Sequence, residues 1–290
     1  MPRQIDRLRE HPSRKSALIV PGAGSALAAR IIADLGFEAV YLSGAGLTNA
    51  SLGLPDLAFV SLPELVQSTA AISEVVELPL IVDADTGFGN AINVRQAVRV
   101  LERAGANVIQ LEDQLSPKRC GHFSGKLVID ADEMCGKIKA AVEARRSPDT
   151  LIMARTDARA VEGFAAAAAR AKRYQSAGAD ILFVEAPERI EEMAELPKLV
   201  TAPLLINMVV GGKTPIIGRE ELARMGYALV LYANVALQGA ISGMQQALRQ
   251  LQAQGQMTEN GPVASFKERQ RLVGKPMFDE LERRYGGRGS

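Results

Sequence analysis

Histidine, cysteine and tryptophan are scarce in this chain of 290 residues, which has two histidines, two cysteines and no tryptophan. So few cysteines and histidines exclude a disulfide framework and a Cys/His zinc site. An excess of charge of one sign is also absent, because 34 basic side chains are balanced by 33 acidic ones. Proteins that bind nucleic acids present clustered lysine and arginine, so this balance argues against a nucleic-acid partner. Because cysteine and histidine are too few to form a metal site, any metal ion should be held by oxygen ligands.

Long apolar segments are missing as well. The first sixteen residues are charged throughout and contain no apolar stretch of signal-peptide length. Residues 225–248 are uncharged, but polar residues interrupt them at Asn234, Gln238, Ser242, Gln245 and Gln246. We predict a buried strand followed by a half-buried helix there, rather than a membrane span. The resulting expectations are a cytoplasmic location and no membrane association.

Short runs rich in Val, Ile and Leu alternate with longer amphipathic segments, which is typical of βα units that build a parallel sheet. The eight runs are residues 17–20, 39–43, 78–83, 108–112, 151–156, 181–185, 204–207 and 228–232. Helical patterns lie between them, as at residues 93–103 and 160–175, and each of these two is followed by an Ala-Gly-Ala turn. Eight repeats without a break in composition predict a closed (β/α)8 barrel of the TIM type.

Length fits one barrel with an addition. We predict a single domain over residues 1–290, in which the barrel takes about 16–253 and a C-terminal helical extension takes about 260–285. A (β/α)8 barrel uses roughly 250 residues, so this extension exceeds what the barrel needs.

Polar residues follow the predicted strands, at the barrel face where the active sites of such folds lie. They are Ser43, Asp83, Asp85, Glu112, Arg155, Asp157, Glu185 and Asn207. An open sheet would collect functional groups mainly at one switch point, whereas here six consecutive strands contribute them. The pattern therefore supports the barrel independently of the strand count.

Asp83 and Asp85 form the densest acidic cluster. If both lie on one strand, residues two apart point to the same side and face the barrel mouth together. With Glu112 on the adjacent strand, these carboxylates would repel one another unless a cation lies between them. Mg2+ suits this set best, with Mn2+ as the alternative ion. The competing interpretation is a pair of aspartates that cap loop amides.

Residues 114–126 form a polar loop in which Cys120 is flanked by Lys118, Arg119 and His122. Positive potential favours the thiolate, which lets a cysteine exchange a proton near neutral pH. The length of the loop and its glycines, such as Gly121, suit a lid over bound substrate. The alternative is a flexible basic loop with a chance cysteine. Cys135 lies in a helical pattern and is interpreted as packing.

Two features offer anion binding. The turn Ser43-Gly44-Ala45-Gly46 has small residues and exposes backbone amides. Arg155, at the end of a buried strand, needs an anionic partner, and both a substrate carboxylate and a structural salt bridge to Glu185 satisfy that need. Lys213 is interpreted as a solvated charge.

Six motifs resemble the isocitrate lyase and phosphoenolpyruvate mutase superfamily. They are VYLSGAG at 40–46, GLPD at 53–56, VDADTGFGN at 82–90, LEDQLSPKRCGH at 111–122, MARTDA at 153–158 and NMVVGGKTP at 207–215. Because the Cys-Gly-His element is retained, the chain is most similar to the short carbon-carbon lyases of the methylisocitrate and dimethylmalate lyase type.

The resemblance implies Mg2+-dependent cleavage of a 2-hydroxy di- or tricarboxylate to pyruvate or glyoxylate and a second carboxylate such as succinate or propionate. It implies metal binding by Asp83, Asp85 and Glu112, with Cys120 protonating the carbanion and His122, Arg155 and Glu112 as further catalytic residues. The implied substrate-binding residues are Tyr41, Ser43, Gly44, Ala45, Asp56, Lys118, Gly121, Arg155, Glu185 and Asn207. It also implies a homotetramer in which C-terminal helices are exchanged between subunits.

Two positions depart from the family pattern. Val210 stands where relatives commonly have an acid, and Ser25 stands where they commonly have Asp or Asn. These departures leave the substrate open. The alternatives on the same scaffold are decarboxylation or hydrolysis of oxaloacetate and a carboxyphosphonoenolpyruvate mutase type of reaction, and the alternative of another class is a non-catalytic protein that binds 2-oxo acids.

Overall fold

Eight parallel strands close into a barrel in chain order in the computed structural model, which describes residues 16–119, 121 and 125–286. The strands are β1 Leu18–Ala23, β2 Val40–Leu42, β3 Leu80–Asp83, β4 Val108–Glu112, β5 Leu151–Thr156, β6 Ile181–Val184, β7 Leu204–Asn207 and β8 Leu229–Tyr232. The predicted (β/α)8 barrel is confirmed. That residues 1–290 form a single domain stays a prediction.

Helices surround the barrel and continue beyond it. They are α1 Ala26–Asp34, α2 Gly44–Leu52, α3 Leu62–Ser73, α4 Ala91–Arg103, α5 Ala131–Ala144, α6 Ala158–Glu162, α7 Phe164–Ser176, α8 Ile190–Leu199, α9 Arg219–Met225, α10 Val235–Gln254, α11 Phe266–Leu272 and α12 Lys275–Tyr285. Within the described part of the chain, no helix combines the length and apolar character needed to cross a bilayer.

The strands are buried on both faces, which is why their sequences are nearly continuous apolar runs. Side chains such as Val20, Ile81 and Leu229 fill the barrel interior. Alternate residues such as Val82 and Ile109 face the surrounding helices and join their apolar sides. Because the strands are apolar on both faces, the polar residues at their ends are the groups that shape the barrel mouth.

β1 is longer than its apolar run predicted, because it continues through Pro21 and Gly22 to Ala23. Its register with β8 extends to the pair Pro21 and Tyr232, and Gly22 is paired with Tyr41 of β2. A Cβ atom on Gly22 would lie 1.9 Å from the carbonyl oxygen of Ala233. Glycine is therefore needed there for close packing of two backbones, not for a turn.

One predicted helix is two helices. The pattern at residues 160–175 is divided at Gly163, whose φ of +92° ends α6 and begins α7. The pattern at 93–103 begins earlier than predicted, at Ala91, because the Asn90 side chain accepts hydrogen bonds from the amides of Ile92 and Asn93.

The C-terminal helices lie on the outside. No residue of α10 is buried, and Ile241, Met244 and Leu248 are exposed. The prediction of a half-buried helix after β8 is therefore wrong for the chain by itself, since only Ala236, Leu237, Ala247 and Gln250 of α10 are partly covered. α11 is tied back to α1 by the Arg271 guanidinium, which pairs with the Asp34 carboxylate at 2.6 Å.

Candidate active site

A cavity opens at the carboxyl ends of the strands, at the barrel mouth. Its lining residues are Tyr41, Ser43, Ala45, Asp56, Asp83, Gly121, Arg155, Phe183, Glu185, Asn207, Val209, Leu231, Ala233 and Asn234. The structure thus brings most of the residues predicted from sequence to one place. Four further predicted residues adjoin this lining: Gly44 and Asp85 lie next to Asp83, Lys118 pairs with Asp56, and Glu112 pairs with Arg155.

Asp83 and Asp85 converge, but not for the reason predicted. β3 ends at Asp83, and Asp85 lies beyond it with a φ of +48°, so the alternation of a strand does not align them. Instead both carboxylates turn toward Gly44: a Cβ atom there would lie 3.3 Å from Asp83 Oδ2 and 3.3 Å from Asp85 Oδ1. Asp83 Oδ1 also accepts from the Asp85 amide at 3.2 Å, so the capping interpretation holds for one of its oxygens.

Lys118 is buried between acids. Its ammonium group lies 2.7 Å from Asp56 Oδ1 and 2.9 Å from Asp85 Oδ1. Burial raises the pKa of Asp85 to about 7, although Lys118 lowers it. Burial alone would lower the pKa of Lys118, but the surrounding carboxylates, Asp85 first, raise it well above its usual value. Lys118 therefore stays charged and fixes the start of the predicted lid against the barrel mouth.

Arg155 is held by three acids. Its guanidinium lies 3.2 Å from Glu112 and 3.5 Å from Glu185, and its Nε lies 2.9 Å from Asp157 Oδ2. The Phe183 ring packs 5.2 Å below the guanidinium carbon. Of the two alternatives, the structure shows the structural salt bridge, and the role of Arg155 as a ligand for substrate stays a prediction.

Glu112 is fully buried beside this guanidinium. Burial raises the pKa of Glu112 well above its usual value, while Arg155 lowers it. Its Oε1 has no hydrogen-bond partner among the described residues. Among those residues, no three histidine, cysteine or acidic side chains are grouped closely enough to enclose a metal ion.

The Ser43 turn differs from its prediction. Ser43 is the N-cap of α2, and its Oγ accepts from the Gly46 amide at 3.0 Å. That amide is therefore used within the helix, because capping satisfies the first free donors of a helix. The amides of Gly44 and Ala45 remain in the first turn of α2, beside the two aspartates.

Gln110 was not predicted as a site residue, although it precedes Glu112 by two positions on β4. It donates from Nε2 to Asp83 Oδ1 at 2.9 Å and accepts from the Tyr41 hydroxyl at 3.0 Å. Tyr41 is thus oriented at the cavity floor, and the burial of its hydroxyl raises its pKa well above the usual value. The repeat of two along a strand was a signal that would have identified Gln110.

Lys126 and Asp157 were also missed as a pair. Lys126 Nζ lies 2.6 Å from Asp157 Oδ1 and donates to the carbonyl oxygen of Gly121. Both side chains are nearly inaccessible to solvent. Burial by itself would raise the pKa of Asp157, but Arg155 and Lys126 outweigh it and lower the pKa. Lys126 therefore ties the described end of the predicted lid to the acid that holds Arg155.

Replacing Lys126 with methionine is expected to lower kcat about 10-fold to 100-fold. Asp157 would lose its ion pair with Lys126, and the carbonyl oxygen of Gly121 would lose the hydrogen bond that Lys126 donates. The reacting groups would therefore be less well positioned. Lys126→Arg restores the charge and should recover part of the activity. Steady-state kinetics on the best substrate measures both variants, and an unchanged kcat for Lys126→Met would contradict the positioning role.

The remaining sequence predictions are distributed as follows. Cys120 and His122 lie outside the described residues. Cys135 is half-buried on α5 and packs against the outer core, as predicted. Lys213 is 40% exposed and lies 3.7 Å from Glu188.

The two departures lie away from the cavity lining. Val210 is 58% exposed. The Ser25 side chain accepts from the Ala28 amide at 3.2 Å and so caps α1. Ser25 therefore has a structural role that the family comparison did not indicate.

A sequence model described as phosphoenolpyruvate phosphomutase matches residues 8–252. The chain belongs to this family. It is 42% identical over 282 residues to 2,3-dimethylmalate lyase of Eubacterium barkeri, covering 96% of this chain and 97% of that protein. It is 48% identical over 248 residues to 2-methylisocitrate lyase of Aeropyrum pernix, covering 86% of this chain and 80% of that protein. The prediction of an enzyme of the oxo-acid lyase class is confirmed by these similarities.

Solved structures agree with this assignment. A crystal structure of 2,3-dimethylmalate lyase superposes with a TM-score of 0.91 at 32% identity, covering 99% of this chain and 97% of that one. Oxaloacetate acetylhydrolase with 3,3-difluorooxalacetate gives 0.92 at 31% identity, covering 99% of both chains. Phosphonopyruvate hydrolase with oxalate and Mg2+ gives 0.87 at 29% identity, covering 97% of this chain and 99% of that one.

Proposed function

We propose that this protein is a Mg2+-dependent lyase that cleaves a carbon-carbon bond of a 2-hydroxy di- or tricarboxylate of the 2-methylisocitrate or 2,3-dimethylmalate type. The products would be pyruvate or glyoxylate and a second carboxylate such as succinate or propionate. The observation that carries this proposal is the buried grouping of Asp83 and Asp85 with the Arg155 network at one barrel mouth. The two lyases that match nearly the whole barrel support it.

Asp83, Asp85 and Glu112 are the residues that would hold the ion, directly or through water, since the described acids are not grouped closely enough to enclose it by themselves. They offer the oxygen ligands that Mg2+ prefers, with Mn2+ as the alternative. Gly44 has no side chain to cover the two aspartates, since a Cβ atom there would lie 3.3 Å from an oxygen of each, and Glu112 Oε1 is buried with no hydrogen-bond partner among the described residues. When bound, a divalent ion would lower the pKa of the substrate hydroxyl and offset the charge that develops on the keto oxygen.

The side chains of this protein would carry the other steps. Arg155, Ser43 and the amides of Gly44 and Ala45 would hold the part of the substrate that becomes the 2-oxo acid. Tyr41, Asp56, Lys118, Gly121, Glu185 and Asn207 would complete the binding site. We assign removal of the hydroxyl proton to the Glu112 carboxylate, which Arg155 and a bound divalent ion would keep ionised against the effect of burial. We assign protonation of the released carbanion to the Cys120 thiol, with His122 two positions after it in sequence.

A coupled assay for 2-oxo acid release tests the reaction, with isocitrate, 2-methylisocitrate, 2,3-dimethylmalate, citramalate and oxaloacetate as substrates. Pyruvate with succinate or propionate supports the lyase, and reversible loss of activity with EDTA supports the metal. A rate that survives complete chelation would exclude a metal requirement.

Hydrolysis of oxaloacetate is the second candidate, because a structure of oxaloacetate acetylhydrolase covers 99% of the chain at a TM-score of 0.92. Acetate with oxalate as products of oxaloacetate would identify it, while pyruvate with carbon dioxide would indicate decarboxylation. A phosphonate product from phosphoenolpyruvate, offered as a separate substrate, would indicate mutase chemistry. Stabilisation by pyruvate and Mg2+ without turnover of any substrate would instead indicate a non-catalytic protein that binds 2-oxo acids.

We also propose a homotetramer in which C-terminal helices are exchanged between subunits. The exposed apolar residues of α10, including Ile241, Met244 and Leu248, support this assembly because such residues are normally covered. Sedimentation at micromolar concentration should give about four times the chain mass, and a monomer would refute the assembly. The proposed location is the cytoplasm, with a small carboxylate as the ligand and neither nucleic acid nor membrane as a partner.

A further inference from the structure

Two side-chain amides line the cavity on the side of β7 and β8. Asn207 is the last residue of β7, and Asn234 follows the end of β8 by two positions. The Oδ1 atoms of both are buried, and neither has a hydrogen-bond partner among the described residues. Asn207 is 8% exposed. Buried polar atoms are nearly always paired in folded proteins, so two unpaired acceptors in one cavity indicate groups that serve a ligand.

The hydrogen bonds seen within the described part of the chain do not explain why asparagine stands at position 234. It is the N-cap of α10, a position where asparagine normally accepts a hydrogen bond from the first turn of the helix. Its side chain makes no such bond. The backbone beside it is closely packed, because Ala233 lies against Gly22 with no room for a Cβ atom. The amide is therefore held at the cavity without being used by the helix that it precedes.

Barrel geometry gives this amide pair its place relative to the acids. In a closed barrel of eight strands in chain order, β7 and β8 lie across the mouth from β3 and β4. Asp83 and Glu112 come from β3 and β4. A substrate whose 2-hydroxy acid end is held by those acids would extend its outer half, the half released as the second carboxylate, toward Asn207 and Asn234.

The one cation of the described lining is already engaged by acidic side chains. This cation is Arg155, which is bound by Glu112, Asp157 and Glu185. The other lining groups on this side include the apolar side chains of Val209 and Leu231. On this side of the cavity, the amides of Asn207 and Asn234 therefore provide hydrogen-bonding groups beside apolar side chains.

We propose that Asn234, together with Asn207, hydrogen-bonds a polar substituent on the outer half of the substrate and thereby selects polar substituents over alkyl ones. The proposal rests on the proposed function for the identity of the substrate. The unpaired Oδ1 atoms accept hydrogen bonds, so a hydroxyl substituent can donate to them, whereas a carboxylate would instead accept from the N–H groups of the same amides. An alkyl group in the same position would leave the amides without partners, which costs binding free energy.

Equilibrium binding tests this assignment without requiring turnover. Succinate, 3-hydroxypropionate and propionate differ in carrying a carboxylate, a hydroxyl or no polar group on the outer carbon. Calorimetry in the presence of Mg2+ and pyruvate should show that the intact protein binds at least one of the two polar acids about 10-fold more tightly than propionate. Preference for succinate identifies a carboxylate, and preference for 3-hydroxypropionate identifies a hydroxyl.

Asn234→Leu should reduce this preference to within about 3-fold while leaving propionate binding in place, because leucine is similar in size and cannot hydrogen-bond. Asn234→Ala is the second variant, for the case that leucine disturbs folding. Gln238→Leu is the matched control, since it removes an exposed amide one turn further along α10. Equal binding of the three acids by the intact protein, or an unchanged preference in both Asn234 variants, would overturn the proposal.

The two proposals fail separately. If no substrate releases a 2-oxo acid but the preference exists and depends on Asn234, the proposed reaction is wrong and the binding assignment stands. If turnover occurs but the protein does not prefer the polar acids over propionate, the proposed reaction stands and Asn234 does not select the substituent of the substrate.

Discussion

Replacing Cys120 with serine is expected to lower turnover about 100-fold to 10,000-fold, because general acid–base groups contribute rate factors of that size. A serine hydroxyl is a much weaker acid than a thiol, so it would protonate the carbanion poorly while occupying almost the same volume. Mg2+-dependent binding of pyruvate should remain measurable, since the residues proposed to hold the 2-oxo acid are unchanged.

Residues next to Cys120 support its placement in the mechanism. Lys118 pairs with Asp56 and Asp85 at the barrel mouth. Gly121 packs so closely that a Cβ atom there would lie 2.4 Å from the Arg155 guanidinium and 2.7 Å from the Glu185 side chain. The chain on either side of Cys120 is therefore fixed against the residues that would bind substrate.

Single-turnover kinetics on the best substrate measures this loss, with isothermal titration of pyruvate as the binding readout. Cys135→Ser is the matched control, because Cys135 lies on the outer helix α5 and packs against the outer core. Its turnover should stay within about 2-fold of the intact protein. Full turnover in Cys120→Ser would remove Cys120 from the mechanism.

The barrel could be predicted from the sequence because each strand and each helix shows its own burial in its pattern of apolar residues. Strands buried on both faces must be apolar throughout, and helices that cover them must be amphipathic, so eight repeats could be recognised. The ends were harder to predict. Pro21 and Gly22 are ordinary turn residues by composition, yet they continue β1 because β8 and Ala233 pack against them.

The gathering of polar residues at the strand ends was also predictable, although their catalytic roles stay predictions, but the partners that hold them in place were not predictable. Arg155 and Glu112 were identified because charge at the end of a buried strand is unusual. Asp113, Lys126 and Gln110 act through contacts with residues far away in sequence, such as the pair of Lys126 with Asp157. No local pattern records such a pair, since it arises only when the barrel closes.

The exposed side of α10 was also not predictable from a local pattern. An apolar stretch predicts that a helix is covered, but it does not say which surface covers it. Met244 and Leu248 are exposed in the chain by itself, which fits coverage by another subunit in the proposed tetramer. A prediction of burial made from composition therefore does not distinguish coverage by the same chain from coverage by another subunit.

Replacing Asp113 with alanine is expected to lower the free energy of unfolding by about 3–5 kcal/mol, the usual cost of removing one partner from a buried charged network. Asp113 is fully buried and accepts from four groups: the Thr156 hydroxyl at 2.7 Å, the Tyr174 hydroxyl at 2.7 Å, the Asp157 amide at 2.9 Å and the Arg170 guanidinium at 3.3 Å. These donors cannot reach water once the carboxylate is gone.

The carboxylate, rather than the volume of the side chain, should account for most of this loss. Burial raises the pKa of Asp113, while its hydrogen bonds to Thr156, Tyr174 and the Asp157 amide lower it, so the group sits where its charge is costly unless all partners are present. Asp113→Asn keeps one acceptor oxygen and should lose about half as much. Glu143→Ala is the control, since this exposed carboxylate pairs with Arg95 at 3.4 Å. Such surface pairs contribute at most about 1 kcal/mol.

Urea unfolding at a fixed protein concentration measures all three variants, because assembly makes apparent stability depend on concentration. The position of Asp157 links this stability to activity: Asp113 holds its amide, and Asp157 in turn holds Arg155 and Lys126. Asp113→Asn should therefore raise KM for the substrate as well as lower stability. A variant that loses stability with unchanged kcat and KM would show that the hydrogen bonds of Asp113 support only the fold, and that Glu112, Asp157 and Glu185 keep Arg155 in position without them.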